Sequence, residues 1–304
     1  MKIAYLILAH NQFHHLERLV SSLIHVDDDI FIHVDKRAQL DGLRFRRPNV
    51  SIIEKRLCVH WGGFSMIKAQ IELLKEANEK GHYDYYILLS GADYPIKTRD
   101  QLIRHLKENN GSNFLNAAEM PQFNKPLERI RTYYIEGGER TKSRIKSWWI
   151  KLCNYFYKKT IKNRSLPLPF LDYKLYAGGQ WWAFHYEFIQ YLLKFLGENT
   201  QFTKFFKHTY IPDEMFFHII LMNSPYSHTI KGCLTYTDWR IGEPPFPSLI
   251  SSIHMAELEK EFSETAYGIS YHCFARKFND GSEDIIQWIN RMTNSREVST
   301  SYRR

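Results

Sequence analysis

Apolar runs and helical stripes alternate along the N-terminal third of the chain. Short runs rich in branched and aromatic side chains predict strands, and apolar residues that recur every three or four positions predict helices. The predicted strands are residues 3–9, 29–34, 50–53 and 83–89, and the predicted helices are residues 13–24, 65–77 and 99–108. This succession indicates an α/β fold with a mostly parallel central sheet and helices on both faces.

The alternation stops between residue 116 and about residue 172, which predicts a long insertion rather than core. Within the insertion Ile145, Trp149, Leu152 and Phe156 follow helical spacing, whereas lysines lie largely elsewhere on the helix, at Lys146, Lys151, Lys158, Lys159 and Lys162. This pattern is typical of an interfacial amphipathic helix. Three functions remain open for it: contact with an anionic membrane surface, a lid with a solvated basic face, or polyanion binding.

The formal charge of +8 belongs to this insertion. Nine Lys or Arg and no Asp or Glu lie between Arg140 and Arg164, so the rest of the 304 residues is close to neutral. Cations scattered over the whole surface would favour a nucleic-acid partner, and this distribution does not. We therefore expect no nucleic-acid partner.

The remaining composition indicates the cellular compartment. No stretch reaches the roughly 18 apolar residues of a membrane span, and the start of the chain predicts a strand rather than a signal peptide. The four cysteines, Cys58, Cys153, Cys233 and Cys273, are far apart and form no CxxC pair, so we expect reduced thiols and no zinc site. These features predict a cytoplasmic protein.

Polar residues follow three of the predicted strands, at the sheet edge where α/β proteins bind ligands. His10 ends the first strand, Asp35 ends the second beside Lys36 and Arg37, and Asp93 follows the strand at 83–89. A single carboxylate at Asp93 makes a poor Mg²⁺ or Mn²⁺ clamp, because these cations need several oxygen ligands. If a nucleotide sugar binds here, Lys or Arg must neutralise its diphosphate. The spacing alone fits a solvated turn at Asp35 equally well.

Two later segments supply a candidate base and candidate cations. Pro212, Asp213 and Glu214 precede a helical apolar run, so Glu214 is expected in the first helical turn, ionised by the helix dipole and able to act as a general base. Asp213 is expected to cap or orient. Arg276 and Lys277 lie between aromatic residues and could stabilise a leaving diphosphate. A helix-start device and a surface pair of cations are the plainer alternatives.

Seven short motifs now point to one family. The chain resembles the core-2/I-branching glycosyltransferases, β-1,6-N-acetylglucosaminyltransferases related to the protein xylosyltransferases, over about residues 3–135 and 175–290. The motifs occur in matching order: IAYLILAH at 3–10, IHVDKR at 32–37, VHWGGFS at 59–65, DYPIKT at 93–98, EMP at 119–121, PDE at 212–214 and HCFARKF at 272–278. No single motif is diagnostic, but the ordered set is.

The resemblance implies a GT-A-type fold and an inverting transfer that needs no metal cofactor. It implies that Asp35 contacts the uridine, that Glu214 is the catalytic base and that Lys277 binds the diphosphate. The second diphosphate cation stays open between Lys231 and Arg240.

Other residues complete the expected substrate site. Lys125 and Arg129 resemble positions that hold the acceptor sugar, and Asp93 is expected to shape the donor pocket. The remaining residues expected to bind substrate are His10, Asp213 and Arg276.

We therefore expect transfer of N-acetylglucosamine from its UDP-sugar to a hydroxyl of a glycan or lipid-linked oligosaccharide. One domain would carry a nucleotide-binding half at 1–115, the acceptor loop and basic insertion at 116–175, and a catalytic half at 176–304. Animal members have a Golgi anchor and disulfides that are not expected here, so the chain resembles a bacterial-type relative. We expect residues 140–164 to hold it at the inner face of the membrane as a peripheral protein. The alternatives are a xylosyltransferase or other UDP-sugar transferase on this fold, and a non-catalytic glycan-binding or polyanion-binding protein.

Overall fold

The computed structural model describes residues 1–40, 43, 45, 47–123, 125–138, 143–161, 163–241 and 246–301, with the side chains of the last helix described to residue 295. The strands are β1 Ile3–Ala9, β2 Asp29–Val34, β3 Val50–Ile52, β4 Tyr85–Ser90, β5 Asp93–Pro95, β6 Asn113–Glu119, β7 Tyr176–His185, β8 Ile230–Lys231, β9 Thr235–Thr237, β10 Ser263–Thr265, β11 Gly268–Ser270 and β12 Phe274–Arg276. The helices are α1 Phe13–Leu23, α2 Ser65–Lys80, α3 Arg99–Glu108, α4 Glu128–Arg131, α5 Arg144–Thr160, α6 Tyr186–Glu198, α7 Thr200–Phe206, α8 Phe216–Met222, α9 Met255–Leu258 and α10 Glu283–Ser301.

A seven-stranded sheet forms the centre of the molecule, in the order β3-β2-β1-β4-β7-β6-β8. Strands β1 to β4 pair in parallel, and β7 runs antiparallel to both β4 and β6. The carboxyl ends of β1, β2, β4 and β6 therefore meet at one edge, which we call the site edge. The predicted α/β fold with a mostly parallel central sheet flanked by helices is confirmed.

The core lies on both faces of this sheet. Alternate residues of β1 point to opposite faces: Leu6 packs in one cluster with Ile67 of α2, and Ile7 packs in the other with Leu16 of α1. All residues of β2 and β4 are buried, because helices cover both faces of these strands. This double burial explains why their sequences are continuously apolar.

A smaller sheet, in the order β5-β12-β9, lies beside the site edge. Strand β12 pairs antiparallel with β5, which places Arg276 opposite Asp93, and parallel with β9. The last helix, α10, packs Ile285, Ile286 and Ile289 against this sheet.

In the described ranges, no helix is long and apolar enough to cross a membrane. All four cysteines are free, as expected.

The prediction of an insertion without core from residue 116 onward is wrong at both ends. Strand β6 extends to Glu119 inside the central sheet, and Met120, Ile130, Leu166 and Phe170 are buried in the main core. Strand β6 was missed because its sequence, NFLNAAE, alternates poorly, and its register with β7 shifts between Leu115 and Ala117. Helix α5 is present as predicted. Residues 139–142 and 162, which carry part of the predicted basic segment, lie outside the described residues.

Candidate active site

Backbone hydrogen bonds join the strand ends at the site edge. The amide of Asp35 donates to the carbonyl of Ala9 over 2.8 Å, and the amide of Gly91 donates to the carbonyl of Leu8 over 2.8 Å. A Cβ on Gly91 would lie 3.1 Å from that of Ala9, so this close approach favours glycine. His10 follows Ala9 and is exposed. The site edge therefore brings His10 and Asp35 together as predicted.

Asp35 is buried and uses both carboxylate oxygens within the protein. Its Oδ1 accepts from the amide and Nε of Arg37 (2.8 and 3.0 Å), and its Oδ2 accepts from Nη2 of Arg37 (2.8 Å) and the amide of Val59 (2.9 Å). Burial opposes ionisation of Asp35, but these hydrogen bonds outweigh it and lower the pKa to about 2. The solvated-turn alternative is wrong, since Asp35 is 5% exposed.

Asp93 forms a buried pair with Arg276. Its Oδ1 lies 3.4 Å from Nε of Arg276, and Ser90 donates to both oxygens of the carboxylate. Burial raises the pKa of the Asp93 carboxyl and lowers the pKa of the Arg276 guanidinium. The guanidinium carbon of Arg276 also lies 4.1 Å from the centroid of the Trp181 ring. This pairing links β5, β12 and β7 beside the site edge.

Lys277 and Arg240 are joined through one short segment. The amide of Lys277 donates to the carbonyl of Ser248 (3.3 Å), and the amide of Ser248 donates to the carbonyl of Asp238 (2.9 Å). Nε of Arg240 contacts Asp238 Oδ1 at 3.1 Å, and the Arg240 side chain is 72% exposed. Both cations follow the ends of paired parallel strands, β12 and β9.

Lys231 lies elsewhere. It pairs with Phe114 near the start of β6, at the edge of the sheet opposite the site edge. Burial lowers the pKa of His105 in α3, and the charge of Lys231 lowers it further. Of the two residues left open by the sequence, Arg240 is therefore the one near Lys277.

Glu214 is held by two cations from the segment after β6. Lys125 Nζ and Arg129 Nη1 both contact Oε2 of Glu214, the latter at 2.6 Å. All three side chains are 15–20% exposed. Among the residues that the structure describes, no donor contacts Oε1. The structure thus brings Glu214 together with Lys125 and Arg129, and both contacts use the same carboxylate oxygen.

The turn that carries Glu214 differs from the predicted helix start. Residues Pro212–Glu214 form a 3₁₀ turn, and α8 begins only at Phe216. Before the turn, Ile211 has φ 50°, a left-handed conformation that a β-branched residue before proline rarely adopts. The amide of Ile211 donates to the carbonyl of Gly62 over 2.9 Å, which helps to hold this conformation. Contacts with side chains rather than a helix dipole therefore orient Glu214.

Asp213 does not cap the turn. Its side chain makes no capping hydrogen bond, and Oδ1 is buried with no hydrogen-bond partner in the described residues. Burial, together with the charge of Glu214, raises the pKa of Asp213 to about 7. The predicted capping role is wrong because the side chain points into the protein. Its carboxyl group therefore changes charge near neutral pH.

Three further residues surround these groups and were missed in the sequence. Trp181 of β7 lies under the guanidinium group of Arg276. Nε2 of His218 donates to the Gly179 carbonyl over 3.0 Å, and burial lowers the pKa of His218 to about 3, so the ring is neutral. Burial raises the pKa of Tyr267 to about 12, with a smaller contribution from Glu214. The spacing of four residues between Glu214 and His218 is not a reliable signal, because Glu214 lies in a 3₁₀ turn before α8 rather than in the same α-helix.

Cations and carboxylates at the site edge therefore form two groups. Arg276, Lys277 and Arg240 lie around the small sheet, and Lys125 and Arg129 hold Glu214. In the described part of the chain, no three His, Cys, Asp or Glu side chains form a group that could hold a metal ion. The first group suits an anionic leaving group, and the second suits a hydroxyl that must lose a proton.

The sequence is similar to those of known xylosyltransferases. Mouse xylosyltransferase 1 is 27% identical over 249 residues, which are 79% of this chain and 24% of the mouse protein. Xylosyltransferase oxt of Drosophila pseudoobscura pseudoobscura is 27% identical over 251 residues, 79% of this chain and 26% of the fly protein. The chain thus spans about a quarter of the length of these curated relatives.

A solved structure and a family match extend the comparison. The structure of mouse xyloside xylosyltransferase 1 in its apo form is 12% identical, with a TM-score of 0.37, and the match covers 90% of this chain and 97% of the other. The family described as Core-2/I-Branching enzyme matches residues 3–260. The chain therefore belongs to the Core-2/I-Branching enzyme family, whose members are glycosyltransferases.

Proposed function

We propose that the chain is an inverting, metal-independent glycosyltransferase that moves N-acetylglucosamine from its UDP-sugar to a hydroxyl of a glycan or lipid-linked acceptor. The observation that carries the proposal is the Glu214 carboxylate, held through one oxygen by Lys125 and Arg129 from the segment that follows β6 at the site edge. We call Asp35, Asp93, Arg240, Arg276 and Lys277 the donor end. Lys125, Arg129 and Glu214 are the acceptor end.

In the proposed reaction, the acceptor oxygen bonds to the anomeric carbon as that carbon's bond to the diphosphate oxygen breaks. Glu214 takes the hydroxyl proton through Oε1, while its contacts with Lys125 and Arg129 keep the carboxylate in place. Lys277 and Arg240 stabilise the negative charge that develops on the departing diphosphate. A single in-line displacement inverts the configuration of the anomeric carbon.

The uridine would bind near Asp35. Arg37 donates to both oxygens of Asp35, and Val59 donates to one of them. A hydrogen-bond donor of the uracil ring can therefore reach Asp35 only if it displaces one of these donors or shares an oxygen with it. Arg37 is the more movable donor, since its side chain is 37% exposed. His10 and the buried Asp93–Arg276 pair would shape the remainder of the donor end.

Metal independence is supported by the positions of positive charge. A metal-dependent site would need several oxygen ligands near the diphosphate, whereas Asp93 is enclosed by Ser90 and Arg276. Lys277 and Arg240 can supply the same charge without a metal ion.

A xylosyl donor is the second candidate, because the relatives described above are named xylosyltransferases. The fit of the sugar into the donor end separates the two candidates, since xylose lacks the hydroxymethyl and acetamido groups of N-acetylglucosamine.

Release of free UDP from a panel of UDP-sugars, with and without EDTA, tests donor and metal independence together. We expect the fastest release from UDP-N-acetylglucosamine and the same rate in EDTA. Faster release from UDP-xylose would select the second candidate, and loss of activity in EDTA that Mn²⁺ restores would refute metal independence. Absence of UDP binding by calorimetry, combined with salt-sensitive polyanion binding, would favour a non-catalytic protein.

A further inference from the structure

Helix α5 carries an exposed apolar face. None of its residues is buried, and five of its large apolar side chains are more than half exposed: Ile145, Trp148, Trp149, Tyr155 and Phe156. These residues recur at helical spacing, so they form one continuous stripe along the helix. Contiguous exposed apolar patches on a protein surface mark interaction sites.

The opposite face of α5 fixes its orientation on the protein. Asn154 exchanges two hydrogen bonds with the backbone of Ile135 (2.8 and 2.9 Å), and Ser147 donates to the carbonyl of Gly138. The ring of Tyr157 lies 5.0 Å from that of Tyr133. Ser147, Asn154 and Tyr157 share one side of the helix because they are seven and three residues apart. Polar and aromatic contacts therefore direct the apolar stripe away from the body.

This orientation excludes a lid that covers the core with its apolar face. Such a helix would turn Trp149 and Phe156 inward and its lysines outward. Both aromatic side chains are instead 55% exposed. The apolar stripe thus faces outward and remains available to a partner.

Cations line one flank of the stripe. Arg144, Lys151 and Lys158 are spaced by seven residues and are exposed, so they follow the same side of the helix. Lys159 lies within the stripe, with its Nζ 4.5 Å from the centroid of the Tyr155 ring. Arg164 is not part of this surface, because it donates to the backbone carbonyls of Thr132 and Phe205.

We propose that α5 docks the protein on an anionic phospholipid membrane, lying in the plane of the interface. Tryptophan and tyrosine favour the headgroup region, and cations beside them attract anionic lipids. A second copy of the chain would bring together two helices that each carry cations and no acid. A nucleic acid would pair with the cations but leave the apolar stripe in water. Of these three partners, an anionic membrane is the one that matches both the apolar stripe and the cations.

The docked helix would lie next to the acceptor end. Helix α5 packs on residues 133–138, where the ring of Tyr134 lies 4.9 Å from that of Tyr210. The amide of Tyr210 donates to the carbonyl of Arg129 over 3.4 Å. If the proposed function holds, this proximity favours a lipid-linked saccharide as acceptor. Docking itself can be tested without donor or acceptor.

The test measures co-sedimentation of the full chain with vesicles of phosphatidylcholine alone, or of equal parts phosphatidylcholine and phosphatidylglycerol. We expect binding to the anionic vesicles, weakened by salt, with a blue shift of tryptophan emission. The pair Lys151→Glu and Lys158→Glu should lower vesicle affinity by roughly 25-fold or more, at about fivefold for each cation removed. The pair Trp148→Ser and Trp149→Ser should lower it by at least about tenfold.

Matched controls separate this surface from general charge and hydrophobicity. Lys68→Glu with Lys75→Glu makes the same charge change on exposed residues of α2 that are also seven apart, and Val26→Ser removes an apolar side chain that is 89% exposed. Both controls should bind vesicles as the original chain does. Far-ultraviolet circular dichroism and UDP calorimetry confirm folding in every variant.

The proposal would be overturned by no binding of the original chain to anionic vesicles, by equal losses in the α5 variants and their controls, or by a dimer in sedimentation that the tryptophan substitutions dissociate. Preferential binding to DNA would also overturn it. Loss of vesicle binding with UDP binding retained would support membrane docking whatever the donor sugar proves to be.

Discussion

The donor and acceptor ends share one sheet edge, yet they enclose their carboxylates differently. Asp93 at the donor end is fully buried, with Ser90 donating to both oxygens and Arg276 beside it. Glu214 at the acceptor end is one-fifth exposed and is contacted by two cations through a single oxygen. An enclosed carboxylate has its oxygens occupied by protein groups, whereas a carboxylate with one open oxygen can exchange a proton with a bound hydroxyl.

The same difference applies to the cations. Arg276 is enclosed between Asp93 and Trp181, so its charge acts on its surroundings from a fixed position. Arg240 extends into solvent from Asp238 and can move toward a phosphate. Arg276 therefore helps to build the donor end, whereas Arg240 can contact a substrate directly.

The largest expected effect comes from breaking the enclosed pair. Asp93→Asn keeps the shape of the side chain but leaves Arg276 without a buried counter-charge, which should cost about 3–5 kcal/mol of unfolding free energy. Urea denaturation followed by circular dichroism measures this cost. The exposed pair Lys194–Glu198 provides a matched control, because Glu198→Gln should cost less than about 1 kcal/mol. A cost for Asp93→Asn no larger than that of the control would show that Asp93 and Arg276 do not act as an ion pair.

The next effect concerns activity rather than stability. Glu214→Gln removes the base but keeps a side chain that Lys125 and Arg129 can contact, so turnover should fall by on the order of a hundredfold or more. UDP affinity should stay unchanged, because the donor end is intact. Steady-state UDP release and calorimetry measure these two quantities.

Glu128→Gln serves as the control for this substitution, since Glu128 is exposed and lies beside Arg129 in α4. It should leave turnover within about twofold of the original. Near-normal turnover in Glu214→Gln would remove Glu214 from the reaction, and a parallel loss of UDP affinity would mean that it supports the donor end instead.

The sequence predicts the donor end better than the acceptor end, for a physical reason. Strands β1, β2 and β4 are buried on both faces, so their apolar runs are visible, and the polar residues that end them, His10, Asp35 and Asp93, can be located by position. Strand β6 lacks such a run. The part of the site edge that it forms was therefore invisible until the sheet order was known.

Contacts between distant residues could not be predicted from spacing. Lys125 and Arg129 lie 89 and 85 residues before Glu214, and only the family resemblance indicated that they belong near the acceptor. The pairing of Asp93 with Arg276 depends on the register of β5 and β12. Neither Trp181 nor Tyr267 was identified, since aromatic residues are common along the whole chain.

The smallest expected effect comes from Asp213, which is enclosed like Asp93 but lies at the acceptor end. Its folded pKa of about 7 exceeds the usual value near 3.9, so between these values the unfolded chain has released a proton that the folded chain retains. Stability should therefore fall as pH rises through this window, by about 1 kcal/mol between pH 6 and 7.5. Asp213→Asn cannot lose this proton and should lack that part of the slope. Urea denaturation at several pH values gives the unfolding free energy of both proteins. In the difference between the two, the contributions of the other titrating groups cancel. Parallel curves for the two proteins would mean that Asp213 is already ionised at pH 6.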